Sequence, residues 1–213
     1  MQTNNNSVSE PTGMYGSSGY KVAIARTKNY PDNKFSGAGM AASIWNPPVK
    51  DGQHSACRLK IQKGSDILQV GWRVDPTLYG DNKARLFIHF QDQANGNWWL
   101  FMEENHIQIG FWPQRIFTKL TSFATNVEWG GVVYSPPGVP KPPMGSNFFP
   151  VLDSDYDAYC RAITVTNDKG ETMNPTETTT FVNNPDMYFV FDVHNFKHHH
   201  FVLYGGPGDQ IQV

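Results

Sequence analysis

Short runs of alternating apolar and polar residues, each closed by turn-forming residues, constrain the fold of this chain more than any other feature. The clearest run spans 67–74. In a strand, Val70, Trp72 and Val74 point to one face, and the residues between them point to the other. Asp75 is followed by proline, which ends the run. The pattern is typical of a β-strand with one face in a hydrophobic core.

Ten further segments show strand-like patterns or compositions bounded by turn residues, so β-structure is predicted along most of the chain. They are 19–26, 39–45, 55–62, 85–91, 97–103, 106–112, 127–134, 158–165, 187–193 and 201–204. Residues 93–96 and 104–105 are predicted to form hairpin turns between three of these strands.

Two segments depart from the strand pattern. Pro113 precedes apolar residues at helical spacing up to Ala124, which predicts one helix over 113–124. Residues 135–150 are rich in proline, and we interpret them as a stiff surface connection with polyproline II character. The alternative is a lid over a groove that accepts proline-containing segments.

Composition supports a packed domain. Aromatic residues make up 14% of the chain and charged residues 17%, a balance unlike that of disordered proteins. The predicted fold class is all-β, an antiparallel β-sandwich with one short α-helix packed on it. We expect a flexible leader over 1–18 and a single domain over 19–213.

Charge and hydropathy exclude several classes of function. The net charge is −2, and no basic stripe suits a nucleic acid. No apolar run is long enough to span a bilayer, and the first residues lack the apolar core of a signal peptide. The chain is therefore expected to be cytoplasmic as it stands or secreted as a mature form. Cys57 and Cys160 form either one long-range disulfide or two free thiols.

Eight short motifs follow one another along the chain: ASIWNPPV (42–49), VGWRVDPTLYGDNKARLF (70–87), GNWWL (96–100), GFWPQRIFTKL (110–120), VEWGG (127–131), PMGSNFF (143–149), AYCRAITV (158–165) and YGGPG (204–208). In these motifs and in their order, the chain resembles the neprosin family of plant secreted glutamic peptidases. The resemblance covers roughly residues 20 to 210.

The resemblance implies a β-sandwich peptidase that uses two glutamates and no metal or cofactor. Such enzymes cleave peptide bonds, often next to proline, in acidic surroundings. The glutamate of the family's E-W-G-G motif falls on Glu128. The glutamate of its I-E-A-G-W motif falls on Gln69, which is a departure from the family pattern.

Two more departures concern larger segments. Only twelve residues separate Arg85 from Trp98, where the family has several strands and a disulfide-bearing segment. The family's signal and pro-segment are also not found in this sequence. The sandwich is expected to close differently in the middle, without any subsites on the missing strands.

Gln69 and Glu128 are the candidate catalytic residues. A glutamate with a raised pKa can deprotonate water, and a glutamine amide can donate to the developing oxyanion. The pair is similar in role to the Gln/Glu pair of the eqolisin peptidases. Gly71 and Gly130 lie two residues further along each strand, where they are expected to leave room for a substrate backbone. Three aromatic residues are expected to line the substrate pocket: Trp72, Trp129 and Tyr79.

Each of these residues also has a structural interpretation. Gln69 suits a polar strand face, Glu128 suits an ion pair with Arg73 or Arg85, and the glycines suit bulges. Two hypotheses on function therefore stand. The first is a glutamic endopeptidase acting on a peptide or protein. The second is a catalytically silent defence or toxin-like protein that binds a receptor, glycan or membrane.

Histidines are concentrated near the end of the chain. His198 and His200 alternate on a strand and, with His194, are candidate metal ligands, with Asp192 the nearest carboxylate. We interpret them instead as a polar strand edge that avoids self-pairing, and expect no metal.

Overall fold

The computed structural model of the protein describes residues 19–91, 97–102, 107–196 and 199–209. Six strands form a first antiparallel sheet in the order β12-β1-β8-β3-β4-β5. Their bounds are β1 (Tyr20–Thr27), β3 (His54–Lys63), β4 (Asp66–Val74), β5 (Arg85–Gln91), β8 (Asn126–Tyr134) and β12 (Thr178–Val182). The strand β3 lies between β4, which follows it in a hairpin, and β8, which comes much later in the chain.

A second antiparallel sheet packs against the first. Its strands run in the order β11-β10-β14-β13, with β2 also pairing with β10 and β9 with β14. Their bounds are β2 (Gly37–Ala42), β9 (Met144–Gly145), β10 (Ala158–Thr166), β11 (Thr172–Met173), β13 (Phe189–Phe196) and β14 (His199–Gly206).

A separate two-stranded sheet is formed by β6 (Trp98–Met102) and β7 (Ile107–Trp112). Trp98 and Trp112 are paired across it and are both buried in the main core. The indole Nε1 of Trp98 donates to the carbonyl oxygen of Leu120 at 2.9 Å, which fixes this hairpin to the sandwich. The turns predicted at 93–96 and 104–105 lie outside the described residues, as does the leader 1–18.

The main core lies between the two sheets because alternate residues of each strand point inward. The first sheet contributes Leu59, Trp72 and Trp129, and the second contributes Ile163 and Tyr204. All five belong to one buried cluster. The predicted all-β antiparallel sandwich with one short α-helix is therefore confirmed.

The helix predicted over 113–124 is wrong. The described α-helix is α1 (Pro76–Tyr79), and 113–124 contains only a 3₁₀ turn at Gln114–Ile116. The buried carboxylate of Asp66 accepts from the backbone N–H groups of Thr118, Lys119 and Leu120. Helical hydrogen bonds are therefore replaced by bonds to a side chain, while apolar residues of the segment are still buried.

The interpretation of 135–150 as a surface connection is wrong for its second half. Residues 142–146 are buried, and Met144 is fully enclosed in the core. The hydroxyl of Tyr188 donates to the carbonyl oxygen of Pro142 at 2.8 Å. The proline-rich segment is therefore part of the sandwich. Within the described part of the chain, no helix has the length and apolar character needed to cross a bilayer.

Candidate functional site

The two candidate catalytic residues lie on the same face of the first sheet, opposite the main core. Gln69 of β4 pairs in register with Lys60 of β3, and Lys60 pairs with Glu128 of β8. Glu128 pairs in turn with Arg26 of β1. Because residues directly opposite each other on neighbouring strands share a face, these four side chains form one row across the sheet.

Arg58 connects Gln69 with Glu128. It precedes Lys60 by two residues on β3, so both side chains point to this face. One guanidinium nitrogen of Arg58 donates to Gln69 Oε1 at 2.9 Å. Another lies 3.4 Å from Glu128 Oε2, while Lys60 Nζ lies 3.0 Å from Glu128 Oε1. We call Gln69, Arg58, Lys60 and Glu128 the polar cluster.

The polar cluster is buried. The exposed fractions are 8% for Gln69, 5% for Arg58, 1% for Lys60 and 3% for Glu128. Burial lowers the pKa of Lys60 to about 8, and the charge of Glu128 offsets only part of that shift. Charges held away from water require partners, since an unpaired buried ion is strongly destabilising. Glu128 is therefore the counter-ion of two buried cations.

Gly71 and Gly130 flank Arg58 in register, one on each neighbouring strand. A Cβ atom at Gly71 would collide with the carbonyl oxygen of Cys57, and one at Gly130 with that of Ala23. Gly130 also has a φ of 139°, which other residues rarely adopt. The backbone of the sheet therefore requires both glycines, which differs from the expected role of making room for a substrate.

The aromatic residues expected to line the pocket lie elsewhere. Trp72 and Trp129 are buried on the core side of the sheet, where their Nε1 atoms donate to the carbonyl oxygens of Ser43 and Gly39. Tyr79 lies in α1 beneath the guanidinium of Arg85, at 4.9 Å. The expectation for the tryptophans is corrected because each is an odd number of residues from its candidate catalytic neighbour and so faces the other way.

The arginines expected to pair with Glu128 have other partners. Arg73 pairs with Asp75, and Arg85 binds both carboxylate oxygens of Asp81 at 2.6 and 2.8 Å. The sequence analysis missed Arg58 and Lys60. The available signal was the alternation of β3, where basic residues at 58 and 60 share one strand face.

A cleft of about 220 Å³ opens further along this face. His54, Tyr20 and Tyr134 form its aromatic part, and Arg73 and Asp75 supply charge. The rings of His54 and Tyr134 stack with their centroids 5.4 Å apart. Burial and then the charge of Arg73 lower the pKa of His54 to about 3. His54 is therefore neutral near pH 7, and its Nδ1 accepts from Arg73 at 3.0 Å.

Fold and site together define a class of protein: a two-sheet antiparallel sandwich with a buried Gln–Arg–Lys–Glu cluster on the face of one sheet that is opposite the core. A comparison with family models gives the match Neprosin, over residues 51–93 and 89–207. The chain belongs to the Neprosin family, as the ordered motifs predicted. The matched residues include both Gln69 and Glu128.

Proposed function

We propose that this domain binds an extended peptide segment on the face that carries the polar cluster and the cleft, without hydrolysing it. One observation carries the proposal. Each carboxylate oxygen of Glu128 lies within 3.4 Å of a buried cation, Lys60 on one side and Arg58 on the other. Glu128 is the glutamate that the family motif retains, so its surroundings decide the chemistry of the site.

A glutamic peptidase needs a carboxylate that takes a proton from water and later returns it. Both carboxylate oxygens of Glu128 already face a cation, so neither is open to take a proton from water. Its side chain is also 4% exposed, which leaves little surface for an attacking water. Gln69 does not titrate, so it cannot take over proton transfer. These features favour a binding role over a hydrolytic one.

The cleft supports peptide binding. Its stacked rings offer an apolar wall, and Arg73 offers a cation beside them. The volume of about 220 Å³ suits one side chain or proline ring. Along the same face, four basic residues stand against two carboxylates, which leaves a net positive charge: Arg26, Arg58, Lys60 and Arg73 against Glu128 and Asp75. The preferred ligand is therefore a proline-containing peptide with an acidic residue.

The test uses a fluorescein-labelled peptide with alternating proline and glutamate, measured by fluorescence anisotropy. We expect Tyr134→Ala and Arg73→Ala each to weaken binding about tenfold, which corresponds to a loss of about 1.4 kcal/mol in binding free energy. Tyr156→Ala is the matched control, because Tyr156 is 71% exposed and lies outside the cleft. No binding by the unmodified protein, or equal loss in all three variants, would overturn the proposal.

A second function is favoured by one specific observation. Gln69 Oε1 accepts from Arg58 at 2.9 Å, so the oxygen of the amide is engaged by the guanidinium while its Nε2 carries two N–H donors. That amide is available to donate to an oxyanion, the role a glutamine plays in a Gln/Glu peptidase pair.

Glutamic endopeptidase activity is tested with the same peptide by mass spectrometry at acidic to neutral pH. Cleavage by the unmodified protein that is lost in Gln69→Ala, with the fold intact by circular dichroism, would support the second function. It would also contradict the silent binding role. Peptide that stays intact throughout supports the first proposal.

A further inference from the structure

A second polar cluster lies at the edge of the sandwich, away from the site described above. Asp192 and His194 alternate on β13 and share a face, and His200 lies on the paired strand β14. Thr178 of β12 approaches them from the first sheet. The cluster therefore joins the last hairpin of the second sheet to the edge strand of the first.

The side-chain atoms converge on one point. His200 Nε2 lies 2.5 Å from Asp192 Oδ1, and His194 Nε2 lies 3.9 Å from Asp192 Oδ2. The two imidazole rings are 4.1 Å apart between centroids. The hydroxyl of Thr178 lies 2.5 Å from Asp192 Oδ2 and 3.3 Å from His194 Nε2. One donor atom from each of Asp192, His194 and His200 falls within 4.8 Å of the other two.

We propose that Asp192, His194 and His200 bind a divalent transition-metal ion such as Zn²⁺. Two imidazole nitrogens and one carboxylate oxygen are the donor set of open zinc sites, in which water takes the fourth position. Bonds of about 2.0–2.2 Å place tetrahedral ligands roughly 3.3 Å apart. Binding therefore requires side-chain rotation that widens the 2.5 Å separation of His200 Nε2 and Asp192 Oδ1 and shortens the longer separations, which are at most 4.8 Å.

Burial argues against a solvent-facing strand edge, the interpretation that the sequence favoured. His200 is 1% exposed, and the side chain of Asp192 is 9% exposed. His200 Nδ1 is buried and has no hydrogen-bond partner among the described residues. The large majority of buried side-chain polar atoms have a hydrogen-bond partner, so the unpartnered nitrogen of His200 is unusual for a histidine that serves only packing. His194 is 51% exposed in its side chain, so the cluster is open on one side to an entering ion.

The ion would sit between two parts of the fold. Asp192 and His200 belong to the second sheet, while Thr178 belongs to β12 at the edge of the first. The three ligands lie on β13 and β14, so binding is expected to hold these two strands together and to stabilise the folded protein by mass action. This site is independent of the proposed peptide-binding function.

The experiment starts from the unmodified protein, dialysed against a chelator and then against metal-free buffer. Zn²⁺ is titrated in by calorimetry, and Co²⁺ by visible absorption, which reports nitrogen and oxygen ligands directly. We expect one ion per chain and a rise in Tm with Zn²⁺. His194→Ala should weaken binding more than about tenfold, since even losing an outer partner of a metal ligand costs 10–100-fold.

His199→Ala is the matched control. His199 is the adjacent residue on β14, is exposed, and lies outside the cluster. It should leave Zn²⁺ affinity, the Co²⁺ spectrum and the Tm rise unchanged. His200→Ala removes a buried ring, so it tests metal binding only if the variant folds. His194 is half-exposed, so His194→Ala is expected to fold and to test the site. Equal metal binding by His194→Ala and the unmodified protein would overturn the proposal.

Discussion

Glu128 supplies the negative charge that allows two cations to be buried beneath one face of the sheet. Lys60 is 1% exposed and Arg58 5% exposed, and both pair with this carboxylate. A buried pair adds little net stability, but removal of one partner leaves the other charge without compensation. Glu128 therefore has a structural role in this chain.

Glu128→Gln is expected to lower the free energy of unfolding by about 3–5 kcal/mol, because Lys60 and Arg58 lose their counter-ion. Urea unfolding followed by tryptophan fluorescence measures the change. Glu177→Gln is the control, since Glu177 is 53% exposed and pairs with Lys28 at 3.7 Å. A surface pair of this kind contributes less than about 1 kcal/mol. Equal losses in both variants would contradict the role assigned to Glu128.

The lowered pKa of Lys60 predicts that the free energy of unfolding depends on pH. Burial lowers its pKa from 10.5 in the unfolded chain to about 8 in the folded protein. Between these values the unfolded chain binds more protons at Lys60, so raising the pH favours the folded state. From about pH 8 to pH 10.5, the unmodified protein should therefore gain stability relative to Lys60→Met. If the free energy of unfolding, measured with urea, changed equally with pH in Lys60→Met and in the unmodified protein, the pKa of Lys60 would not be shifted.

Among the elements, residues 113–124 form hydrogen bonds to one distant side chain in place of the hydrogen bonds of a helix. Ile116, Phe117 and Leu120 have the spacing of a helical face, and Phe117 and Leu120 are fully buried. The backbone N–H groups of Thr118, Lys119 and Leu120 donate to the carboxylate of Asp66, which lies at the start of β4. Apolar spacing predicted the burial correctly, but a distant carboxylate set the backbone conformation.

Asp66→Asn is expected to cost about 2–3 kcal/mol, because a charged acceptor shared by several backbone donors is lost. Hydrogen exchange at Thr118, Lys119 and Leu120 should accelerate, which locates the loss in this segment. Asp168→Asn is the control, since Asp168 is 41% exposed and only approaches Lys34 at 3.9 Å. Unchanged exchange at these three amides would contradict the capping role of Asp66.

The strands divide into those that the sequence predicts and those that it does not. Alternation over β4 and the apolar runs of β1 and β8 predicted all three. The runs of β1 and β8 are continuous because both faces of these strands are buried. The edge strand β12 was missed. Its sequence, TTTFV, contains no buried residue and no clear alternation. Pairing with β1 makes it a strand, and pairing between distant segments leaves no local pattern.

At the scale of the whole molecule, two cysteines, one from each sheet, lie in contact between the sheets. Cys57 on β3 and Cys160 on β10 are both buried, and their sulfur atoms lie 3.3 Å apart. They are free thiols in this structure, so the sequence alternative of two thiols describes it. Burial raises the pKa of the Cys160 thiol, which slows its reaction while the protein is folded.

Oxidation of the unfolded chain followed by refolding is expected to join Cys57 and Cys160. A bridge across 103 residues should stabilise the protein by roughly 4–5 kcal/mol, through loss of chain entropy in the unfolded state. Urea unfolding with and without reductant measures the difference, and Cys57→Ala should abolish it. Mass spectrometry would first show that the protein carries the bridge. If its free energy of unfolding were then the same with and without reductant, the expectation would be contradicted.

The sequence by itself determined which faces of the main strands enter the core, because side chains alternate along a strand. It therefore placed Gln69 and Glu128 on strands, and its ordered motifs predicted the family. Only the tertiary structure decided that β3 lies between the strands that carry these two residues. That order places Arg58 and Lys60 between Gln69 and Glu128. In the second sheet, the pairing of β13 with β14 brings Asp192, His194 and His200 together. Local patterns do not encode the pairing of strands far apart in the chain, since it depends on the packing of the whole sandwich.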